Sequence, residues 1–312
     1  MEVFKKTAYS DLATVFLARN AEGKCIEFVE STQPPFTRQQ KWVLIISTLF
    51  GCPVKCSFCD AGGFYDGKLS KEELLFQVDY LIRRFYPEGH VPCGKFKIQF
   101  ARMGEPAFNP AVLDLIESLP GLYSIPGFIP SLSTIAPAGR DDYFERLLNI
   151  KKKLYRETFQ LQFSIHSTDE GQRDRLIPVK KWGFGKIAEY GRRFYDEQGK
   201  KITLNFALAS ETIIDPGVIA RHFDPQQFLV KLTPVNPTFR AKEHNITSLI
   251  HENHIPEELI SNIKESGFEV ILSIGEWEEN LIGSNCGQYV QRLMTDPEGY
   301  GFALEDIINV DN

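Results

Sequence analysis

The 312-residue chain has no apolar run approaching the roughly 20 residues that a helix needs to cross a bilayer. Its start, Met1-Glu2-Val3-Phe4-Lys5-Lys6, lacks the apolar stretch of a secretion signal. No internal repeat or low-complexity segment stands out. The missing span and signal lead to the expectation of a cytoplasmic protein without a membrane partner; a monomer is expected as well. An excess of basic residues is missing too, since the formal net charge is −6. Phosphate neutralisation drives nucleic-acid affinity, so this balance weighs against a nucleic-acid substrate. The basic clusters Lys151-Lys152-Lys153, Lys180-Lys181, Arg192-Arg193 and Lys200-Lys201 read first as solvated helix ends and turns.

Six cysteines are present: Cys25, Cys52, Cys56, Cys59, Cys93 and Cys286. Three of them fall within eight residues. Disulfide frameworks belong to small secreted chains, so this cluster reads as metal binding.

Short β-branched or apolar runs alternate with helical patterns. The strand candidates are 42–47, 96–102, 129–133, 159–165, 202–209, 228–232 and 268–274. Helices are expected over 70–85, 110–118, 141–153, 184–197 and 256–266. Ser70 with Glu73 forms a capping box, and Gly267 closes the last helix. Such alternation implies parallel strands with right-handed crossovers. The fold expected is α/β: a partial (β/α)6 TIM-like barrel, with an open doubly wound sheet as the alternative. Residues 1–40 read as a small β extension and linker, 41–292 as the barrel and 293–312 as a C-terminal tail.

Cys52-Pro53-Val54-Lys55-Cys56-Ser57-Phe58-Cys59 is a C-x3-C-x2-C loop. Three thiolates on one loop bind three irons of a cubane and leave the fourth open to a small molecule. A closed zinc site is the alternative, but it wants four ligands, and no fourth Cys or His is near. Polar groups recur at the predicted C-terminal strand ends, where barrel active sites lie. They are Gly104-Glu105-Pro106, Ser133-Thr134, Ser164-Ile165-His166-Ser167 and Asn236-Pro237. Each alone reads as a turn or a core residue; their shared position marks a site.

The cysteine loop, with an aromatic before its last cysteine, resembles the signature of the radical S-adenosylmethionine (SAM) superfamily. Five segments resemble the RlmN/Cfr family of RNA-methylating enzymes within it. They are the cysteine loop, Met103-Gly104-Glu105-Pro106 with Asn109, Leu132-Ser133-Thr134, Phe163 through Pro178, and Asn285-Cys286-Gly287-Gln288. The resemblance implies a [4Fe–4S] cluster on Cys52, Cys56 and Cys59, with SAM as second cofactor. It implies that Gly104 and Glu105 contact the SAM amino group, and that Ser133, Ser164, Ile165, His166 and Asn236 line its pocket. Cys286 matches the cysteine that carries a methyl group to an adenine of rRNA or tRNA. The implied electron donor is an external protein such as flavodoxin.

The chain departs from this pattern in three ways. The family's second cysteine lies seven residues before the cluster loop, where this chain has Ile45. Cys25 is the better replacement, paired with Glu27 as base two residues on along one strand face. Cys93 precedes the second strand and is expected at the opposite end. Only about 40 residues stand before the first barrel strand, in place of the family's N-terminal RNA-binding domain, and the balance of charge is acidic. A second reading is therefore a radical SAM enzyme acting on a peptide, nucleotide or small molecule without a methyl-cysteine carrier. A third is a non-catalytic protein with a structural cluster. Phe64, Tyr65 and Trp182 lie beside motif segments as candidates for stacking on bases.

Overall fold

Short runs rich in apolar and β-branched residues open the chain as an antiparallel meander. Strands β1 (Glu2–Tyr9), β2 (Ala13–Arg19) and β3 (Cys25–Ser31) pair in order. The β2–β3 turn closes on the Asn20 side chain, which accepts the Glu22 and Lys24 N–H groups, and Gly23 takes a left-handed φ of 80°. The computed structural model describes residues 1–9, 12–32, 35–251, 254–274 and Val290.

Two compact units are present. Among the described residues, one holds Met1–Pro53 and Asp60–Ser131 together with Val290; the other holds Val54–Cys59 and 132–274. In the first, β3 pairs antiparallel with β4 (Trp42–Ile46), so the N-terminal extension continues the sheet across residue 40. A two-stranded ribbon follows, β5 (Leu49–Gly51) with β6 (Tyr65–Lys68). Helix α1 (Lys71–Arg83) begins at the expected capping box: Ser70 accepts the Glu73 N–H, and Glu73 accepts the Ser70 N–H. Strand β7 (Phe96–Phe100) lies parallel to β4, and α2 (Ala111–Leu122) leads to β8 (Phe128–Thr134), which ends in the second unit. Phe16 and Phe28 stack at 5.2 Å and meet Tyr80 of α1, sealing helix to sheet. Each such side chain, once fully buried, contributes about 1.5–3 kcal/mol.

In the second unit α3 (Asp141–Ile150) runs into a π-helical turn, Lys151–Tyr155. Then come β9 (Gln160–Ser164), α4 (Glu170–Leu176), α5 (Phe184–Phe194), β10 (Ile202–Leu208), α6 (Pro216–His222), β11 (Phe228–Pro234), α7 (Phe239–Glu243), α8 (Glu257–Glu265) and β12 (Val270–Leu272). Strands β9, β10, β11 and β12 are parallel neighbours in that order. The α/β alternation of parallel strands and helices is thus as expected. Trp182, a candidate for base stacking, instead packs in the core: it is 4% exposed and 4.3 Å from the Phe144 ring. Tyr65 is exposed on β6 and Phe64 half-buried before it. Members of the basic clusters are engaged with acids, Lys151 with Asp196, Lys181 with Asp174 and Arg193 with Glu145. Among the described residues no helix is long and apolar enough to cross a membrane.

Candidate active site

In the first unit, the chain leaves β4 and reaches Cys52 through the β5–β6 ribbon. The Cys52 N–H donates to Phe64 O at 2.9 Å. Gly51 has φ 78°, and a Cβ there would stand 2.2 Å from the Phe64 carbonyl oxygen, so glycine is required at this approach. The Met103–Asn109 segment is laced onto the same stretch. Met103 O accepts the Thr48 and Leu49 N–H groups, and Asn109 Nδ2 donates to Thr48 O and Leu69 O at 2.9 and 2.8 Å. Gly104 turns with φ 98° directly over Leu49, whose Cβ would lie 2.6 Å from an added methyl. Glu105, 5% exposed, accepts the Ala107 N–H and caps the turn Pro106–Phe108.

Strand β3 brings its beginning to this end of β4. The register pairs Val29 with Ile45, and Ser47 Oγ donates to Glu27 O. Cys25 is half-buried, its thiol 3.5 Å from Gly23 O, and burial raises its pKa. Glu27 is fully buried: Oε1 stands 2.6 Å from Arg102 Nη2, and Oε2 accepts the Val290 N–H at 3.3 Å. Cys93 lies at the start of β7, where its thiol donates to Arg38 O at 3.0 Å and burial raises its pKa. Ile45 is half-buried on β4.

In the second unit, the segment from Val54 to Cys59 is held by its backbone. Ser57 N–H donates to Leu176 O and Ser57 Oγ to Arg175 O. Thr238 Oγ1 donates to Phe58 O at 2.9 Å while capping α7, and Arg240 Nε donates to Cys56 O at 3.2 Å. The Phe58 ring meets His166 edge-on at 4.9 Å and packs with Ala209, Val235 and Ala241.

His166 sits at the end of β9 with a left-handed φ of 62°. Its Nδ1 accepts the Ala207 N–H at 3.0 Å, which places the proton of the neutral ring on Nε2. Burial first, then the Arg173 charge, push its pKa down to about 3. The Ile165 and His166 N–H groups both donate to Asn205 O. The side chains of Ser133, Ser164 and Asn236 are half-buried and have no hydrogen-bond partner among the described residues.

Two polar residues of this unit escaped the sequence reading. Asn205 and Lys231 stand in register with Ser164 across β9, β10 and β11. A lone Asn or Lys inside an apolar run carries no signal; its alignment with Ser164 does.

Cys25, Cys52, Cys56, Cys59 and Cys93 form no disulfide with one another. No three His, Cys, Asp or Glu side chains converge as ligands of a single ion among the described residues. A cubane makes a different demand, one thiolate at each of three separate irons, and the three cysteines of this loop are donors of that type. Cys286 lies outside the described residues.

No family model matches the chain. It is 30% identical over 286 residues to a protein of Desulfitobacterium hafniense strain DSM 10664 / DCB-2 named as a probable dual-specificity RNA methyltransferase RlmN, covering 89% of this chain and 75% of that one. With the like-named protein of strain Y51 the identity is 31%, covering 71% of this chain and 62% of the relative's length. With the dual-specificity RNA methyltransferase RlmN of Anaeromyxobacter sp. strain Fw109-5 it is 29%, covering 70% and 57%. The chain thus spans about three-fifths of the length of two of these curated relatives. Among solved structures, a radical SAM methyltransferase from Sphaerobacter thermophilus shares the fold, with a TM-score of 0.71 at 20% identity, over 92% of this chain and 80% of that one.

Proposed function

Because the chain belongs to the RlmN family of radical SAM methyltransferases, we propose that it binds a [4Fe–4S] cluster through Cys52, Cys56 and Cys59 and methylates adenine in rRNA or tRNA. The observation that carries this reading is the cysteine loop itself. It presents three cysteines in the C-x3-C-x2-C spacing, none of them in a disulfide, and its backbone is fastened by hydrogen bonds at Cys56 O and Phe58 O. When bound, the cluster supplies the single electron that cleaves SAM to a 5′-deoxyadenosyl radical.

The chain's own residues then have separate tasks. Gly104 lets its turn approach closely, and Glu105 offers a buried carboxylate to the SAM amino group. His166 is neutral and donates from Nε2. Ser133, Ser164 and Asn236 add neutral polar groups, and Ile165 an apolar one. Cys286 carries the methyl group. The amidine carbons of adenine are electron-poor, so a carbon radical adds where an electrophilic methyl transfer fails. Cys25 is the resolving thiol, and its place at the C-terminal end of β4 supports that role. Glu27 acts as base only after parting from Arg102. An external flavodoxin-type donor reduces the cluster, and the protein works as a monomer.

Ile45, at the position of the family's second cysteine, favours the second reading, SAM radical chemistry on a peptide, nucleotide or small molecule without a methyl carrier. Mass spectrometry separates the two. Protein purified anaerobically, reconstituted with iron and sulfide and given SAM is expected to carry one methyl group on Cys286. An unmodified Cys286 alongside reductive release of 5′-deoxyadenosine would transfer the assignment to the second reading.

A further inference from the structure

We propose that Lys231, with Asn205 beside it, forms an oxyanion subsite that holds a carboxylate or phosphate oxygen of the ligand bound against Ser164. This rests on the reading that SAM enters the pocket lined by Ser164 and His166.

Ser164 pairs with Asn205, and Asn205 with Lys231, in three adjacent parallel strands. In-register neighbours point to the same side of a sheet, on strands about 4.8 Å apart. The opposite side belongs to the helices. A Cβ on Gly191 of α5 would stand 2.3 Å from the Phe228 ring, and Phe228, Val230 and Leu232 are all buried. Side chains alternate along a strand, so Lys231 projects away from that helix layer, and Asn205 with it. The Asn205 carbonyl takes the Ile165 and His166 N–H groups, which fixes the row to the turn that ends β9.

The charge of Lys231 is unanswered. Its ammonium group has no hydrogen-bond or ion-pair partner among the described residues, and burial lowers its pKa. A cation held away from water with no counter-charge is costly, and an incoming anion removes that cost. The other pocket residues of this unit do not answer an anion with charge. Ser133, Ser164, Ile165 and Asn236 are neutral, and His166 is held neutral. SAM brings a carboxylate and a nucleotide brings phosphate; both offer the oxygen that an ammonium beside an amide binds by charge-assisted hydrogen bonds.

The test uses Lys231→Met in the full, anaerobically reconstituted chain, with dissociation constants measured by calorimetry for two ligand pairs. S-adenosylhomocysteine has the amino-acid carboxylate and 5′-methylthioadenosine lacks it. Adenosine 5′-monophosphate has a phosphate and adenosine lacks it. Loss of about tenfold or more for S-adenosylhomocysteine, the scale of one charge-assisted bond, with 5′-methylthioadenosine changed less than about twofold, is the expected result and identifies a carboxylate. The same contrast confined to the nucleotide pair identifies a phosphate. Unchanged affinities throughout overturn the subsite. So does an equal loss within each pair, which would mean that Lys231 only shapes the pocket. Wild-type protein that binds neither S-adenosylhomocysteine nor 5′-methylthioadenosine would overturn the SAM pocket as well, which separates the two failures.

Discussion

His166 shows what one side chain gains from its surroundings. The left-handed backbone turns the ring back onto β10, where the Ala207 N–H occupies Nδ1 and Phe58 covers the ring. Protonation would break the bond at Nδ1 and place a charge near Arg173. The folded pKa, about 3, lies below the ordinary histidine value of 6.5, so between those values the unfolded chain binds the extra proton. Stability therefore falls as pH drops through this window. Between pH 7 and pH 5 the loss from this residue is about 2 kcal/mol. Urea unfolding at the two pH values checks it: His166→Gln is expected to flatten the pH dependence by about that amount, and an unaltered dependence would deny the coupling. Glu27 is a different case, a carboxylate fully buried against the Arg102 guanidinium. Glu27→Gln leaves that guanidinium buried without its partner and is expected to cost about 3–5 kcal/mol in denaturant unfolding. A change well below about 1 kcal/mol would show that the pair is open to water in solution.

The element that matters most around the cysteine loop is α7, only five residues long. Thr238 caps it and reaches Phe58 O; Arg240 reaches Cys56 O. In the reconstituted protein, Arg240→Met is expected to release iron to a chelator several-fold faster than wild type, with the combined Thr238→Val variant faster still. Equal release rates would show that α7 plays no part in holding the loop. This clasp was not legible in the sequence, because Arg240 stands 184 residues from Cys56 and nothing local marks it. The elements that were legible have local causes. Ser70 and Glu73 announce α1 by reciprocal hydrogen bonds, and Gly267 ends α8 with φ 92°. The β5–β6 ribbon escaped because Leu49–Gly51 is three residues long and owes its shape to pairing with Tyr65–Lys68. Strand β1 escaped because its Lys5-Lys6 pair interrupts the apolar run, and its extended shape comes from pairing with β2. Asn205 and Lys231 escaped for a related reason: strand register exists only in three dimensions.

For the whole molecule, the net charge of −6 and the pairing of Lys151, Lys181 and Arg193 with acids leave little free positive surface at those clusters. RNA binding by this chain is therefore expected to depend weakly on salt. A plot of log affinity against log salt for a tRNA or rRNA fragment should have a slope of about −3 or shallower. A slope of about −6 or steeper would reveal a basic face that the clusters do not predict. The α/β alternation was readable because each unit repeats the same local pattern, strand then capped helix. The division into two compact units was not, since it cuts through the cysteine loop between Pro53 and Val54 and through β8, where no change of composition warns of it.

Cys56 O, Ser57 and Phe58 O are fastened by the Arg240 guanidinium, the Arg175 carbonyl and the Thr238 hydroxyl. That segment of the loop therefore has anchors in the polypeptide that need no metal to form. Exposure to oxygen, which strips iron from accessible clusters, would then leave this stretch of chain already in shape. Recovery becomes a matter of resupplying iron, sulfide and reductant to an existing molecule, with no new synthesis and no passage through the unfolded state.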